Sequence, residues 1–385
     1  MSTNFDEIIE RRASGSEKWI HYPDDVLPMW VADMDFRSAP PIREALRQRV
    51  EHGVYGYGLP PAALTEAICA HLAARFAWAV TPEQIVYFPS VVTGFALAAG
   101  ALSVAGEGLI VQPPVYPPLL HAPANCGRPA NAAPLVPSQR GATLWYDIDF
   151  DALKAAAIAR AGALILCNPH NPTGRVFTRD ELLQIAAICE KHDILIIADE
   201  IWSDLTLGDA THIPIASLAP EIAARTVTLM APSKTFNLPG LGLSFGVVTN
   251  EALRNRLPRF GEGPLPLPNV MGMTAALAAY AEGDPWARDL RAYLTANRDA
   301  AVAYLADRLP QLRTTVPEAS YLAWVDCRAA GIDVNPQAFF LNRAKVGLSD
   351  GAMFGAGGDG FVRINMGCPR AVLLEGLERM RQALA

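Results

Sequence analysis

Lysine is scarce in this sequence: of 32 basic residues only five are lysines, and the rest are arginines. Lys18, Lys154, Lys191 and Lys345 lie near expected helices or termini and read as solvated surface charges; Lys234 does not. No stretch approaches the roughly 20 apolar residues that a bilayer-spanning helix needs, so no membrane partner is expected. The opening residues, MSTNFDEIIERRASG, carry mixed charge and no apolar h-region. No secretory signal is visible, and a cytoplasmic protein is expected. The net charge is −7, with no basic run or arginine stripe, which argues against nucleic acid as a partner. Six cysteines (Cys69, Cys126, Cys167, Cys189, Cys327 and Cys368) form no CxxC pair. They fit neither a zinc site nor a disulfide framework, and read as small core residues in a reducing compartment. The seven histidines have no HExxH spacing, so no metal is expected.

What is present suits a large enzyme. The chain has 385 residues, 51% hydrophobic and 18% charged, enough for two or three domains with a substantial core. Its middle alternates short apolar runs with helix-like segments. The runs are Gln84–Phe88, Gly108–Gln112, Ala163–Cys167, Ile194–Asp199, Thr226–Met230 and Ser244–Thr249. The helical segments are Gly94–Val104, Asp151–Arg160 and Arg179–His192. Alternation of this kind implies crossover connections and a mostly parallel α/β sheet covered on both faces. Thr178 followed by Glu181 predicts a capped helix start. A Pro/Gly-rich stretch, Leu257–Val270, reads as the connection leaving a large domain at 41–270. Residues 1–40 would be an arm and part of a small domain. Residues 271–385 would hold connecting helices and a smaller α/β domain, with strands at Tyr321–Val325 and Phe361–Asn365, a glycine-rich loop at Gly351–Gly360, and a final helix.

Four constellations carry candidate chemistry. Lys234 follows the run TVTLM inside APSKTFNLPGLG. At the carboxyl edge of a parallel sheet it would face the ligand crevice; partly desolvated, its amine becomes a nucleophile toward an aldehyde. A plain surface lysine is the other reading. CNPHNPTG (Cys167–Gly174) follows the strand ALILC, and two Asn-Pro steps keep both asparagines out of the α region. Such a stiff loop can hold an amide donor against a ligand oxygen at little ordering cost, or it is an ordinary turn. Asp199 ends the buried run ILIIAD, where a carboxylate needs a partner: a protonated ring nitrogen of a heterocyclic cofactor, or a basic side chain. Ser90–Gly94 lies between a strand and a helix, so backbone N–H groups at the helix start, with hydroxyls nearby, form an anion site for a phosphate, or it is an ordinary helix start. It lacks the GxxxxGK[ST] of a nucleotide loop, and no GxGxxG follows a strand.

These pieces, in this order, resemble the fold-type I pyridoxal-phosphate (PLP) enzymes of the aspartate aminotransferase superfamily. The finer resemblance is to the cystathionine β-lyase branch, C–S lyases related to a bacterial maltose-system repressor. PMWVADMDF (Pro28–Phe36), HGVYGYG (His52–Gly58), PPVYPPLL (Pro113–Leu120), CNPHNPTGRV (Cys167–Val176), DEIWSDL (Asp199–Leu205), SKTFNLPGL (Ser233–Leu241) and FVRINMGCPR (Phe361–Arg370) carry it. The resemblance implies a mostly parallel seven-stranded sheet between helices in a large PLP-binding domain, plus the small C-terminal domain. It implies pyridoxal 5′-phosphate as cofactor, with Lys234 forming its Schiff base and later moving the Cα proton. Asp199 would pair with the pyridine nitrogen, Asn171 would donate to the phenolic oxygen, and Tyr116 would stack on the ring. Val92, Thr93 and Ser233 would serve the phosphate, and Arg363 would grip the substrate α-carboxylate. Tyr57 would reach the phosphate region of a neighbouring subunit in a homodimer with shared active sites. Two positions depart from the pattern: Trp202 stands where relatives carry histidine or tyrosine, and Ala231 where a phosphate-binding serine is expected.

The reaction implied is α,β-elimination from an S-substituted cysteine, giving thiol, pyruvate and ammonia. The rival is an aminotransferase acting on a small amino acid, which shares the chemistry up to the carbanion. A third reading is other carbanion chemistry, such as decarboxylation or cyclisation, and a fourth, from a different class, is a non-catalytic regulator on the same fold. Retention of Lys234, Asp199, Asn171 and Arg363 argues against it.

Overall fold

The computed structural model describes residues 3–141, 143–261 and 268–385. Seven strands form the central sheet: β1 (Ile85–Phe88), β2 (Gly108–Val111), β3 (Ala130–Ala132), β4 (Ala161–Cys167), β5 (Leu195–Asp199), β6 (Thr226–Met230) and β7 (Ser244–Val247), in the spatial order β1-β7-β6-β5-β4-β2-β3. All neighbours pair in parallel except β7, which runs antiparallel to both β6 and β1. β1 therefore points the same way as β4, β5 and β6, and the ends of all four strands share one edge.

The apolar runs form strands because both faces are covered. Ile165 and Ile197 pack on one side with Phe95 and Leu97 of helix α1 (Val91–Leu102). Their neighbours Leu164, Leu166, Ile196 and Ala198 pack on the other with Leu182 and Ile185 of helix α3 (Arg179–Lys191). Helix α2 (Pro117–Asn125) joins the first layer through Leu119. Each large aliphatic side chain buried here contributes about 1.5–3 kcal/mol. The cap expected at Thr178 forms in both directions: Glu181 N–H donates to Thr178 Oγ1 at 3.2 Å, and Thr178 N–H donates to Glu181 Oε2 at 2.7 Å.

A second, antiparallel sheet is built from β8 (Arg313–Thr314), β9 (Leu322–Asp326), β10 (Ser349–Asp350) and β11 (Phe361–Asn365), in the order β8-β9-β11-β10. The N-terminal segment joins this region: Leu27–Pro28 pairs in parallel with Val346–Gly347.

Some boundaries differ from expectation. Helix α1 begins at Val91 rather than Gly94, because Ser90 Oγ accepts the Thr93 N–H at 3.1 Å and starts the helix early. The helix Glu251–Gly261 runs into the Pro/Gly-rich stretch that was expected to be a connection from Leu257. Residues 262–267 of that stretch lie outside the described residues, and a new helix starts at Val270.

Candidate active site

The carboxyl edge of the central sheet gathers the candidate residues. Cys167 of β4 is in register with Asp199 of β5, and Asp199 with Leu229 of β6. The chain leaving β6 turns into the short helix α4 (Pro232–Thr235), which carries Lys234. A cavity of about 260 Å³ opens there. Asp199, Lys234, Asn171, Tyr116, Arg363 and Ser233 all line it, as does the helix start at Val91–Val92.

Asp199 is buried. One carboxylate oxygen accepts the Ile201 N–H at 3.2 Å, and among the described residues no basic side chain forms a salt bridge with it. Burial pushes its carboxyl up to about 7. Burial pulls the Lys234 amine the other way, down to about 8, with the positive charge of Arg363 adding to the effect. The two are the complementary shifts that a site handling protons near neutrality requires. Lys234 Nζ donates to the Ala32 carbonyl at 2.7 Å.

Arg363 leaves β11 of the second sheet and enters the same cavity, so the site spans both sheets. Its Nη1 donates to Asn171 Oδ1 at 3.0 Å; Nη2 donates to the Trp30 carbonyl at 3.1 Å and Ser349 Oγ at 3.2 Å. The Phe354 ring lies 4.9 Å from the guanidinium carbon. With its oxygen taken by Arg363, Asn171 keeps its amide N–H groups for a ligand. The Asn168–Pro169 and Asn171–Pro172 peptide bonds are both cis. Tyr116 is tied to this loop, its N–H donating to the Asn171 carbonyl at 3.0 Å.

The comparisons with known proteins agree with this geometry. The family model for aminotransferase class I and II matches residues 25–380. The chain belongs to the aminotransferase class I and II family. Within that family it falls in the cystathionine β-lyase branch. It is 41% identical to cystathionine β-lyase PatB of Bacillus subtilis (strain 168), over 99% of this chain and 100% of the relative. It is 34% identical to protein MalY of Escherichia coli (strain K12), over 99% and 98%. The crystal structure of cystalysin from Treponema denticola, which contains pyridoxal 5′-phosphate, superposes with a TM-score of 0.95 at 30% identity, covering 100% of this chain and 99% of that one. The cofactor of this family is pyridoxal 5′-phosphate.

The residues of this cavity fit that cofactor. An enclosed acid held near neutrality with no protein cation suits a protonated ring nitrogen, and a depressed lysine amine suits an aldehyde. The start of α1 offers N–H groups to a phosphate. Thr93 is the weaker donor there, since its N–H already caps the helix on Ser90; Val92 is not so engaged. Tyr57 is fully exposed and lies outside this chain's own cavity.

Of the two positions expected to depart from the family pattern, Trp202 lines the cavity and Ala231 does not. Trp202 is buried, lines the cavity, and meets Tyr321 edge-on at 4.9 Å between centroids. Its ring lies 5.7 Å from Lys234 Nζ. Ala231 is buried at the end of β6 and offers no hydroxyl. One expectation is corrected outright: Lys18 is no surface charge but 1% exposed, paired with Asp35 at 2.7 Å. Sequence reasoning also missed Trp30 and Ala32, whose carbonyls hold Arg363 and Lys234. PMWVADMDF carried their signal, but main-chain acceptors have no side-chain signature.

Proposed function

We propose that this enzyme is a PLP-dependent C–S β-lyase that releases thiol, pyruvate and ammonia from an S-substituted cysteine. One observation carries the reading: Lys234, Asp199, Asn171 and Arg363 line a single cavity in a chain matched over its whole length to a cystathionine β-lyase. Bound PLP supplies an electron sink for negative charge developing at the substrate Cα. Arg363 grips the α-carboxylate through its planar fork. Lys234, with an amine pushed down to about 8, takes the Cα proton as a base matched to neutral pH. With the cofactor bound, Asp199 would keep the ring nitrogen protonated, Asn171 would donate to the phenolic oxygen, and Tyr116 would stack on the ring. Val31, Ile201, Trp202 and Leu243 give the remaining wall an apolar character that suits a thioether. Lys234 and Arg363 are the only cations lining the cavity among the described residues, so a second substrate carboxylate has no counter-charge within this chain.

The division into a large domain at 41–270, an N-terminal arm and a smaller C-terminal domain belongs to the same reading. So does a homodimer. Val50, Val54, Tyr55, Tyr57 and Leu59 expose large apolar side chains in one segment, a patch that marks an interaction surface, and Tyr57 would meet the partner's phosphate site. No helix among the described residues is long and apolar enough to cross a membrane.

Incubating holoenzyme with cystathionine or S-methylcysteine should release pyruvate and thiol in equal amounts. A keto acid formed without thiol, at the expense of the cofactor's aldehyde, would make the enzyme an aminotransferase instead.

A further inference from the structure

Residues Trp30–Asp35 form a strap without helix or strand, and it meets the working cations through its main chain. The Trp30 carbonyl accepts from Arg363 Nη2 at 3.1 Å. The Ala32 carbonyl accepts from Lys234 Nζ at 2.7 Å and from the Tyr321 hydroxyl at 2.9 Å. Where these carbonyls stand is decided by whatever holds the strap.

Lys18 holds it from both ends. Its own carbonyl accepts from Trp30 Nε1 at 3.2 Å, while its ammonium donates to Asp35 Oδ2 at 2.7 Å and to the Asp33 carbonyl at 3.4 Å. Arg11 adds a second cation to Asp33 and Asp35, at 2.9 and 2.5 Å. A buried ion pair adds little stability over a well-packed apolar pair, because both charges are desolvated. What it adds is geometry: a fixed length and direction between two backbones. Asn237, three residues past Lys234, completes the clasp. It accepts the Met34 N–H at 3.0 Å and donates to the Met34 and Phe36 carbonyls at 2.8 and 2.9 Å.

We propose that Lys18 is a positioning residue of this enzyme: paired with Asp35, it fixes the strap so that the carbonyls of Trp30 and Ala32 hold Arg363 and Lys234 in their working places. The inference rests on the roles given above to Arg363 and Lys234.

The test compares wild-type, Lys18→Met, Lys18→Arg and Asp35→Asn holoenzymes, all assayed well below their melting temperatures. Propionate, a carboxylate with no amino group to react, probes Arg363 through the absorbance change of the bound cofactor. Lys18→Met should bind propionate roughly tenfold more weakly, the effect of misaligning one charge-assisted hydrogen bond. KM should rise by a similar factor and kcat should fall. Lys18→Arg should recover most of both. A Lys18→Met enzyme that melts earlier but keeps wild-type propionate affinity, KM and kcat would overturn the proposal. If Lys18→Met does not fold, Asp35→Asn must show the same shifts, and their absence overturns it equally. Failure of wild-type enzyme to release thiol would sink the lyase reading while leaving the propionate comparison intact. Wild-type propionate affinity in Arg363→Lys would sink the role of Arg363 instead.

Discussion

Two buried aspartates of this molecule are treated in opposite ways. Asp199, at the end of β5, accepts one hydrogen bond, from the Ile201 N–H, and burial outweighs this and the more distant Lys234 charge to push its carboxyl up to about 7. Asp35, on the strap, is about as buried. Burial pushes its carboxyl up too, but the charge and hydrogen bond of Lys18, with Trp19 and Arg11, outweigh that and hold it below the ordinary range. Burial alone therefore does not decide whether an acid is charged; the protein's choice of partner does. Among the described residues the cavity keeps its acid without a salt-bridge partner, leaving it to a ligand. The strap satisfies its acid completely, as a structural joint needs.

That contrast can be broken from the cavity side first. Lys234→Ala removes the base, and pyruvate release should fall by at least about a thousandfold, with the strap and the fold intact by circular dichroism. Asp199→Asn, which cannot keep the ring nitrogen protonated, should lower kcat by roughly a hundredfold, measured on cofactor-saturated enzyme. Arg363→Lys exchanges a fork for a point charge, and KM should rise by about tenfold with a smaller change in kcat.

The smallest effects are on stability, and they should differ in sign. A carboxyl whose folded-state pKa is raised binds its proton more tightly when folded, so stability falls as pH rises from near 4 to about 7 and stays reduced above. With cofactor stripped, Asp199→Asn should melt above wild type at pH 8 and level with it near pH 4. A depressed carboxyl does the reverse: its contribution is present above its unfolded pKa and lost as pH falls through the folded value. Asp35→Asn should therefore cost about 3 kcal/mol at pH 7, and the deficit should shrink as pH drops below the ordinary carboxylate range. Thermal melts across that window check both; equal signs for the two variants would undo the comparison.

The same contrast explains what was legible in the sequence. Lys234, Asp199 and Asn171 sit at strand ends in apolar runs broken by proline or polar turns, so local pattern located them on the ligand-facing edge. Arg363 lies on a strand of the other sheet, and only the family motif around it marked its role. Lys18 looked like a surface lysine, because its burial comes from residues fifteen or more positions away and no local period announces it. Thr93 is implied as a phosphate donor by the family resemblance; that its N–H caps the helix on Ser90 depends on where the helix begins, three residues before the expected start.

The strap is also held from the far end of the chain, and this has a bearing on biosynthesis. Asn365 donates to the carbonyls of Val31 and Asp33 at 2.6 and 2.7 Å, across separations of 334 and 332 positions. On a ribosome the central sheet, with Lys234 and Asp199, can assemble well before Asn365 emerges. A nascent chain at that stage holds the aldehyde-reactive amine but not the frame that aims it, so full competence must wait until synthesis has passed residue 365.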